Sequence, residues 1–444
     1  MKKNILLIVL DCVRADQLLS NNNKRIKTPQ IKSLLNSGYV FENTFCHAPF
    51  TTPSIISILT GQYPPRHGIR MLIGQKLRKN IPYLPEILKK NGYYTMGFPS
   101  VFLFEKGHGF ERGFDLYDAR MDFKKKLGRG SWRPGIKTIS AVEKQLTKKL
   151  KEPFFCYIHL FDAHDYQPGK SNSFRSYQKK INEIDTLIGK LIGALKETEL
   201  LDNTIIIITA DHGDEFGEHL LFNHGKTLYD QVLKVPLIIY DNTLGSQKRI
   251  KNLIRHVDIV PTILDLVGIR SEPMNIFDGS RISFKNIDGI EDRVSYSETS
   301  PIQLYTGDFL ETKEFKGPEI VSLRTNKVKY ILKTEQFLAG TYSRSFIFPL
   351  KKSSFRFIFK ILYRLNRRLV KNNFIERYTY GKIILNLLYK EELYDIRNDK
   401  VEINNIINNK PETAATLKIS LNEICTKKRR RISKEEEIRR IHRI

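Results

Sequence analysis

The sequence has 444 residues, of which 41% are hydrophobic, and it carries a formal net charge of +26 at pH 7. A chain of this length and composition can bury a large core, so a globular protein with one large domain and a smaller appendage is expected rather than a disordered one. The four cysteines lie far apart without Cys-x-x-Cys spacing, so neither a disulfide framework nor a zinc knuckle is predicted and a reducing compartment is favoured. The positive charge favours acidic partners.

The N-terminal segment begins with Lys2 and Lys3, which precede an apolar run at residues 4–10. This run is too short to span a bilayer and lacks a small-residue cleavage site, so we predict a buried strand and a cytoplasmic protein. Asp11 follows the strand directly. In open α/β sheets, ligands bind at the carboxyl ends of the strands, so Asp11 is a candidate site residue.

A helix and a short strand are predicted within residues 28–46, and a second helix follows at 54–60. Pro53 suits the first turn of that helix, and Gly61 ends it. Thr51 therefore lies where the helix N-terminal amides can face an anion. A threonine at this position commonly serves only as an N-cap, and this alternative stays open on the local pattern alone.

Two further strand ends carry polar side chains. The apolar run that starts after Pro153 ends at Phe161 and is followed by His164, whereas His159 lies inside the run and is predicted to be a hydrogen-bonded core residue. An amphipathic helix is predicted within residues 176–204, followed by a strand that ends before Asp211. The carboxyl ends of several strands are thus expected to form one site.

Two segments together resemble the sulfatases. The nucleophile motif of that family is matched in register by Thr51, Pro53, Ser54, Thr60, Gly61, His67 and Gly68. Its second metal-binding segment is matched by Asp211, His212, Gly213, His224, Gly225, Lys226, Val235 and Pro236. The resemblance covers roughly residues 3–270 and 318–422.

The chain departs from the sulfatase pattern at three positions. Thr51 replaces the cysteine or serine that sulfatases oxidise to formylglycine, Ile55 replaces an arginine, and Cys12 replaces the second of two aspartates. Threonine as the nucleophile resembles the phosphodiesterases, phosphatases and phosphotransferases of the wider alkaline phosphatase superfamily. The resemblance therefore indicates the family more clearly than the reaction.

The resemblance implies an α/β fold of the alkaline phosphatase and sulfatase type, with a central mixed β-sheet between helices and a smaller C-terminal α+β subdomain. It implies one divalent metal ion, Mn²⁺, Mg²⁺, Ca²⁺ or Zn²⁺, bound by Asp11, Thr51, Asp211 and His212. A second metal is possible at Asp214, Glu215, His219 and His224, although loop solvation is an equal alternative. From residues 100–118 only Lys106 and His108 are weak substrate-binding candidates, with surface solvation as the alternative.

The predicted function is metal-dependent hydrolysis of phosphate, phosphonate or sulfate esters with Thr51 as nucleophile, while Lys226 and His164 stabilise the leaving oxygen. Phosphate esters are favoured over sulfate esters. One alternative is transfer of the phosphoryl group to a sugar or lipid acceptor, and another is a catalytically degenerate sulfatase-like protein that binds a membrane surface. The expected partner is an anionic ester, and no nucleic acid is expected.

The C-terminal region is predicted to begin after residue 300, following a catalytic domain at 1–300. The subdomain at 301–425 includes a basic amphipathic insertion at about 340–388 and is followed by a basic tail at 426–444. Within the insertion, residues 355–371 place phenylalanine, isoleucine and leucine side chains on one helical face and arginines and lysines on the opposite one. The helix either packs its apolar face on the enzyme or binds an anionic membrane surface, and the second alternative implies a protein peripheral to the membrane.

Overall fold

The computed structural model describes residues 2–20, 25–127, 130–148, 150–166, 173–244, 247–270, 274–301, 315, 317–334, 386 and 389–426. The predicted basic helix at 355–371 and most of the predicted tail lie outside the described residues. The described residues divide into two compact units. The first comprises residues up to Asp214 together with Gln231–Arg293, and the second comprises Glu215–Asp230 and the residues from Val294 onward.

The strands begin with the predicted apolar run at residues 4–10. In chain order they are β1 Asn4–Leu10, β2 Tyr39–Phe45, β3 Tyr94–Phe98, β4 Leu116–Tyr117, β5 Asp122–Leu127, β6 Gly130–Trp132, β7 Phe154–Leu160, β8 Thr204–Ala210, β9 Glu215–Phe216, β10 Phe222–Asn223, β11 Lys234–Tyr240, β12 Lys248–Arg255, β13 Ser295–Thr299, β14 Ile320–Arg324, β15 Val328–Lys333 and β16 Glu391–Asp395. The strands predicted from apolar runs at 4–10, 154–160 and 204–210 are confirmed.

Some helices begin with a proline, such as those that start at Pro29, Pro64 and Pro411, and others follow a strand after a short connection. In chain order they are α1 Ala15–Leu18, α2 Pro29–Ser37, α3 Thr51–Thr60, α4 Pro64–His67, α5 Leu84–Lys90, α6 Gly135–Leu146, α7 Ser173–Glu197, α8 Asp230–Leu233, α9 Ile259–Leu266 and α10 Pro411–Thr426. Among the described residues, no helix has the length and apolar character needed to cross a bilayer.

The first unit is built on a mixed eight-stranded sheet with the order β12-β2-β11-β8-β1-β7-β3-β4. Its centre is parallel, because β1 pairs with β7 on one side and with β8 on the other. Every residue of β1, β7 and β8 is buried, as expected for strands that are covered on both faces. Helices α2 and α6 pack against α7, while α5 and α9 pack against α3. The predicted α/β class, with a mixed sheet between helices, is confirmed.

The second unit contains the four-stranded antiparallel sheet β13-β14-β15-β16 and the small hairpin β9-β10. Helix α10 packs on β14 and β15. A buried ion network joins the segment before α8 to this sheet: Asp230 lies 3.0 Å from both Arg324 and Lys329, and Lys329 lies 2.7 Å from Glu402. A smaller C-terminal α+β region is therefore present, as predicted.

The stability of the first unit is expected to depend on the central strands. Ile207 on β8 is 1% exposed, so Ile207→Ala leaves a cavity between the sheet and its helices and should lower the free energy of unfolding by about 2–5 kcal/mol. Ile136 on α6 is 42% exposed, so the same substitution there should change it by less than about 0.5 kcal/mol. Chemical denaturation of both variants measures the difference. Equal losses of unfolding free energy in the two variants would contradict the difference in packing between Ile207 and Ile136.

Candidate active site

The site lies at the carboxyl ends of the three central strands. Leu10 pairs with Leu160 and with Ala210, so the residues that follow β1, β7 and β8 meet at one edge of the sheet. Asp11 follows β1 and Asp211 follows β8, and the side chains of both are fully buried. The sequence prediction that these separate segments converge is consistent with this register.

Thr51 enters the site from helix α3. It is the first residue of the helix and is 3% exposed, while Phe50 before it is in the extended conformation and occupies the N-cap position. Thr51 Oγ1 lies 3.4 Å from Asp11 Oδ2 and 3.5 Å from His212 Nε2. The hydroxyl therefore faces the ionisable groups, and the alternative that Thr51 is merely an N-cap is wrong.

The two aspartates keep oxygen atoms that the protein does not hydrogen-bond. Asp211 Oδ1 accepts the backbone amides of Cys12 at 3.1 Å and His212 at 2.8 Å. Asp211 Oδ2 and Asp11 Oδ1 are buried without a hydrogen-bond partner among the residues that the structure describes. Leaving buried carboxylate oxygens unsatisfied costs free energy, so these atoms indicate a ligand that the protein itself does not provide.

The two carboxylates also perturb each other. Burial alone would raise the pKa of Asp11, but His159 together with the nearby imidazoles of His164 and His212 outweighs it and lowers the pKa. The pKa of Asp211 is raised by burial and by the negative charge of Asp11. A cation between the carboxylates would allow both to be ionised.

Two imidazoles complete a plausible ligand set. His212 Nδ1 lies 2.9 Å from its acceptor Gly213 O, which leaves Nε2 toward Asp211 Oδ2 at 3.4 Å. His159 Nδ1 lies 3.3 Å from Ser100 Oγ, and its Nε2 lies 3.2 Å from Asp11 Oδ2. In both rings the second nitrogen is thus held by a protein partner, as is common for histidines that bind metals. Carboxylates, imidazoles and a hydroxyl fit a divalent ion such as Mn²⁺, Mg²⁺ or Zn²⁺.

His159 is the site residue that the sequence analysis missed. The prediction of a hydrogen-bonded core histidine is correct for Nδ1, but Nε2 points to Asp11, and the ligand atoms of Asp11, His159 and Asp211 lie within 4.8 Å of one another. The signal in the sequence was a polar residue inside an otherwise apolar parallel strand, two positions before the strand end. Such a side chain must find a partner, and the neighbouring strand β1 delivers Asp11 to it.

Cys12 lies beside the ligand set, and its Sγ is within 4.8 Å of ligand atoms of Asp11 and His212. Burial and the charge of Asp11 raise the pKa of its thiol, which makes it a weaker ligand than the carboxylates for a hard metal ion. Its backbone has a positive φ of 59°, in the left-handed region, and its carbonyl accepts a 2.9 Å hydrogen bond from Tyr177 Oη. Tyr177 Oη also accepts the amide of Arg14 at 2.9 Å. Helix α7 thereby holds the turn that carries Asp11.

A hydrogen-bond chain behind α3 fixes the segment that carries Asp211. Ser54 Oγ donates to the carbonyl of Asp211 at 2.5 Å and lies 3.3 Å from His256 Nδ1, while His256 Nε2 lies 3.4 Å from Thr209 Oγ1. Burial lowers the pKa of His256, so the ring is neutral and serves as a hydrogen-bonding bridge. Helix α3 and strand β8 are therefore joined by specific polar contacts.

The two predicted leaving-group residues lie in different units. His164 is half-buried at the end of β7, its ring stacks on Phe161 with centroids 4.5 Å apart, and its charge contributes to the lowered pKa of Asp11. Lys226 belongs to the second unit, where Nζ donates to the carbonyl of Phe222 at 3.3 Å. Its role at the transferred group stays a prediction.

Three of the four residues of the predicted second metal set, Asp214, Glu215 and His219, make hydrogen bonds within the protein. Glu215 accepts from Thr227 Oγ1 at 3.0 Å and lies 2.8 Å from His219 Nδ1, and His219 Nε2 lies 2.7 Å from Val401 O. These contacts lie within the second unit and favour a structural role for Glu215 and His219. Asp214, in the first unit, accepts a 2.5 Å hydrogen bond from Tyr166 Oη.

The family model described as Sulfatase matches residues 3–269. A sulfatase from Formosa agariphila is 26% identical over an aligned length of 360 residues, and the match covers 62% of this chain and 71% of that protein. A choline-sulfatase from Rhizobium meliloti is 22% identical over an aligned length of 416 residues, and the match covers 74% of this chain and 78% of that protein.

Solved structures share the fold. The phosphonate monoester hydrolase of Agrobacterium radiobacter superposes with a TM-score of 0.68 at 15% identity, covering 95% of each chain. A protein solved with its substrate D-glucosamine-2-N,6-O-disulfate superposes with a TM-score of 0.67 at 16% identity, covering 96% of this chain and 97% of that one. Because the family model spans more than half of the sequence and its segments carry Asp11, Thr51, Asp211 and His212, the chain belongs to the sulfatase family.

Proposed function

We propose that this protein is a metal-dependent esterase that cleaves phosphate, phosphonate or sulfate esters with Thr51 as nucleophile, and that it prefers phosphorus esters. The observation that carries the proposal is the position of Thr51 Oγ1, which lies 3.4 Å from Asp11 Oδ2 and 3.5 Å from His212 Nε2 at the start of a buried helix. Family membership supports ester hydrolysis in general, since sulfatases hydrolyse sulfate esters and a structural neighbour is a phosphonate monoester hydrolase.

Asp11, His159, Asp211 and His212 would hold the metal ion, with Thr51 Oγ1 beside it. This adds His159 to the set predicted from the sequence. A bound divalent ion would favour the ionised form of the Thr51 hydroxyl and offset the negative charge of the transferred group. The unpartnered oxygens of Asp11 and Asp211 support this assignment.

The protein groups have separate tasks in the reaction. The N-terminal amides of α3 favour the anionic group of the substrate in front of Thr51. Thr51 loses its hydroxyl proton to solvent and its Oγ1 forms a bond to phosphorus, while the bond to the leaving ester oxygen breaks. His164 and Lys226 stabilise the negative charge of that oxygen, which then takes a proton from solvent. Water attacks phosphorus, the bond between phosphorus and Thr51 Oγ1 breaks, and a proton of that water restores the Thr51 hydroxyl as the phosphate leaves.

The nucleophile is tested by two substitutions at Thr51. Thr51→Ala removes the attacking oxygen and should lower kcat by at least about 10³-fold, whereas Thr51→Ser keeps the oxygen and should retain much more activity. Thr186 is exposed on α7, and Thr186→Ala should leave kcat unchanged. Turnover of a chromogenic aryl phosphate measures all three. Full activity of a correctly folded Thr51→Ala protein would contradict the proposal.

The metal site is tested by metal content and thermal stability. Asp11→Asn and His159→Gln each remove a ligand charge or a ligand nitrogen, so the purified variants should contain less metal than the wild type by elemental analysis. Adding the preferred ion at 100 times its Kd should stabilise the wild type by about 2.7 kcal/mol, and these variants much less. His108→Gln is the control, because the His108 ring stacks on Phe110 outside the ligand set. Equal metal content in all four proteins would argue against this site.

The choice between phosphorus and sulfur follows from the chemistry of threonine. A formylglycine hydrate releases sulfate by elimination, which needs a second hydroxyl on the same carbon, and Thr51 has only one. A sulfated Thr51 would need attack of water at sulfur, whereas a phosphorylated Thr51 can be opened by water at phosphorus. We therefore expect kcat/KM for aryl phosphate mono- or diesters to exceed that for the matched aryl sulfate by roughly tenfold or more, which is ~1.4 kcal/mol. A Thr51-dependent preference for sulfate would refute the argument.

A further inference from the structure

A cleft of about 520 Å³ opens at one edge of the central sheet of the first unit. Its walls are the edge strand β4, the turn that contains Lys106, and the second half of helix α6. None of its lining residues belongs to the proposed metal site or contacts Thr51, although Lys106 was a substrate-binding candidate in the sequence analysis. Its volume is in the range of pockets that hold small organic ligands, which is about 300–1,000 Å³.

The cleft carries a surplus of positive charge. Its basic residues are Lys106, Arg120, Lys144 and Lys148, and its acidic residues are Glu105 and Asp118. The negative charge of Asp118 is compensated by two arginines: Arg120 Nε and Nη2 each lie 2.8 Å from its carboxylate oxygens, and the buried Arg133 lies 3.1 Å from it. Hydrogen bonding to Arg120 lowers the pKa of Asp118 to about 2, so this ion pair persists at neutral pH. The lysines therefore determine the net charge of the cleft.

Ala141, Lys144 and Gln145 of α6 line the cleft at three- and four-residue spacing, and Lys148 lines it just after the helix ends. Ala141 is small and leaves the space into which the longer side chains reach. In the part of the chain that the structure describes, the ammonium groups of Lys106 and Lys144 have no ion-pair partner.

Part of the lining of the cleft, which we call its floor, is apolar. Leu116 and Tyr117 are half-buried lining residues, Phe98 lines it with only 1% of its surface exposed, and the Tyr117 hydroxyl donates a 2.7 Å hydrogen bond to Phe104 O. An inorganic anion would use the lysines but leave this floor uncovered. A sugar-sized body with charged groups would use both, because carbohydrate rings present apolar faces as well as anionic substituents.

We propose that the cleft is a second binding site, which takes a small organic polyanion with two or more phosphate or sulfate groups on a sugar-sized body. The proposal does not depend on the reaction at Thr51. The bland alternative is that the lysines only protect the edge of the sheet from pairing with another strand. Binding experiments separate these two roles.

The test uses calorimetric titration of full-length Thr51→Ala protein, in which turnover of the probe should be prevented. The probes are D-glucosamine-2-N,6-O-disulfate and inorganic pyrophosphate, each at fixed ionic strength. Introducing both Lys106→Gln and Lys144→Gln into the Thr51→Ala protein should raise the Kd for the disulfated sugar by about tenfold or more, because two uncompensated charges are lost. Pyrophosphate should bind more weakly than the sugar, since it cannot cover the apolar floor.

The matched control is the double variant Lys89→Gln and Lys248→Gln. It removes the same charge, but Lys89 is paired with Asp115, and Lys248 lies at the opposite edge of the sheet, paired with Asp288. Its Kd should stay within about twofold of the parent, because screening limits the reach of distant charges. Equal weakening in both double variants, or an unchanged Kd in the cleft variant, would overturn the proposal and leave edge protection as the role of the lysines. Binding of pyrophosphate without binding of the sugar would overturn the claim that the ligand has a sugar-sized organic body.

Discussion

The arrangement of the site depends on two carboxylates buried at the carboxyl ends of adjacent parallel strands. Asp11 and Asp211 lie within 4.8 Å of His159 and of each other by their ligand atoms, and neither is exposed to solvent. Like charges at this distance in a poorly solvated place repel strongly. Such a pair is stable as two anions only with a positive charge between them. The strand order β8-β1-β7 therefore brings together side chains that could hold a cation.

The identity of the donors then follows from the residues around this pair. Cys12 stands where the sulfatase pattern has a second aspartate, which would add negative charge, and His159 Nε2 from β7 lies 3.2 Å from Asp11 Oδ2. In the proposed set of two carboxylates and two imidazoles, the two carboxylates would balance the charge of a divalent ion. The two imidazoles would favour Mn²⁺ or Zn²⁺ over Ca²⁺.

Much of this site could be predicted from the sequence because its residues follow easily recognised strands. Asp11, Asp211 and His164 come directly after apolar runs, and Thr51 comes just before a helix that Pro53 and Gly61 delimit. Their convergence required only the rule that parallel strands end at one edge of the sheet.

His159 could not be predicted in the same way, since its role depends on which strand pairs with β7. The register that sets His159 opposite Val9, two residues before Asp11, is a long-range property of the sheet. The cleft beside β4 depends likewise on three segments that are distant in sequence, so the sequence offered Lys106 as a substrate-binding candidate but not the residues of β4 and α6 that line the cleft with it. Local patterns therefore located the strand ends, whereas contacts between strands supplied the remaining donors.

The segment that carries Lys226 shows why the smaller unit matters for the proposed chemistry. Gly225 O accepts a 2.7 Å hydrogen bond from Thr299 Oγ1 of β13, and Thr227 Oγ1 donates to Glu215 at 3.0 Å. The backbone on both sides of Lys226 is thus tied within the second unit, one side directly to its antiparallel sheet. If Lys226 acts on the leaving oxygen, then the C-terminal sheet helps to set the position of a catalytic charge, and its folding becomes a condition for catalysis.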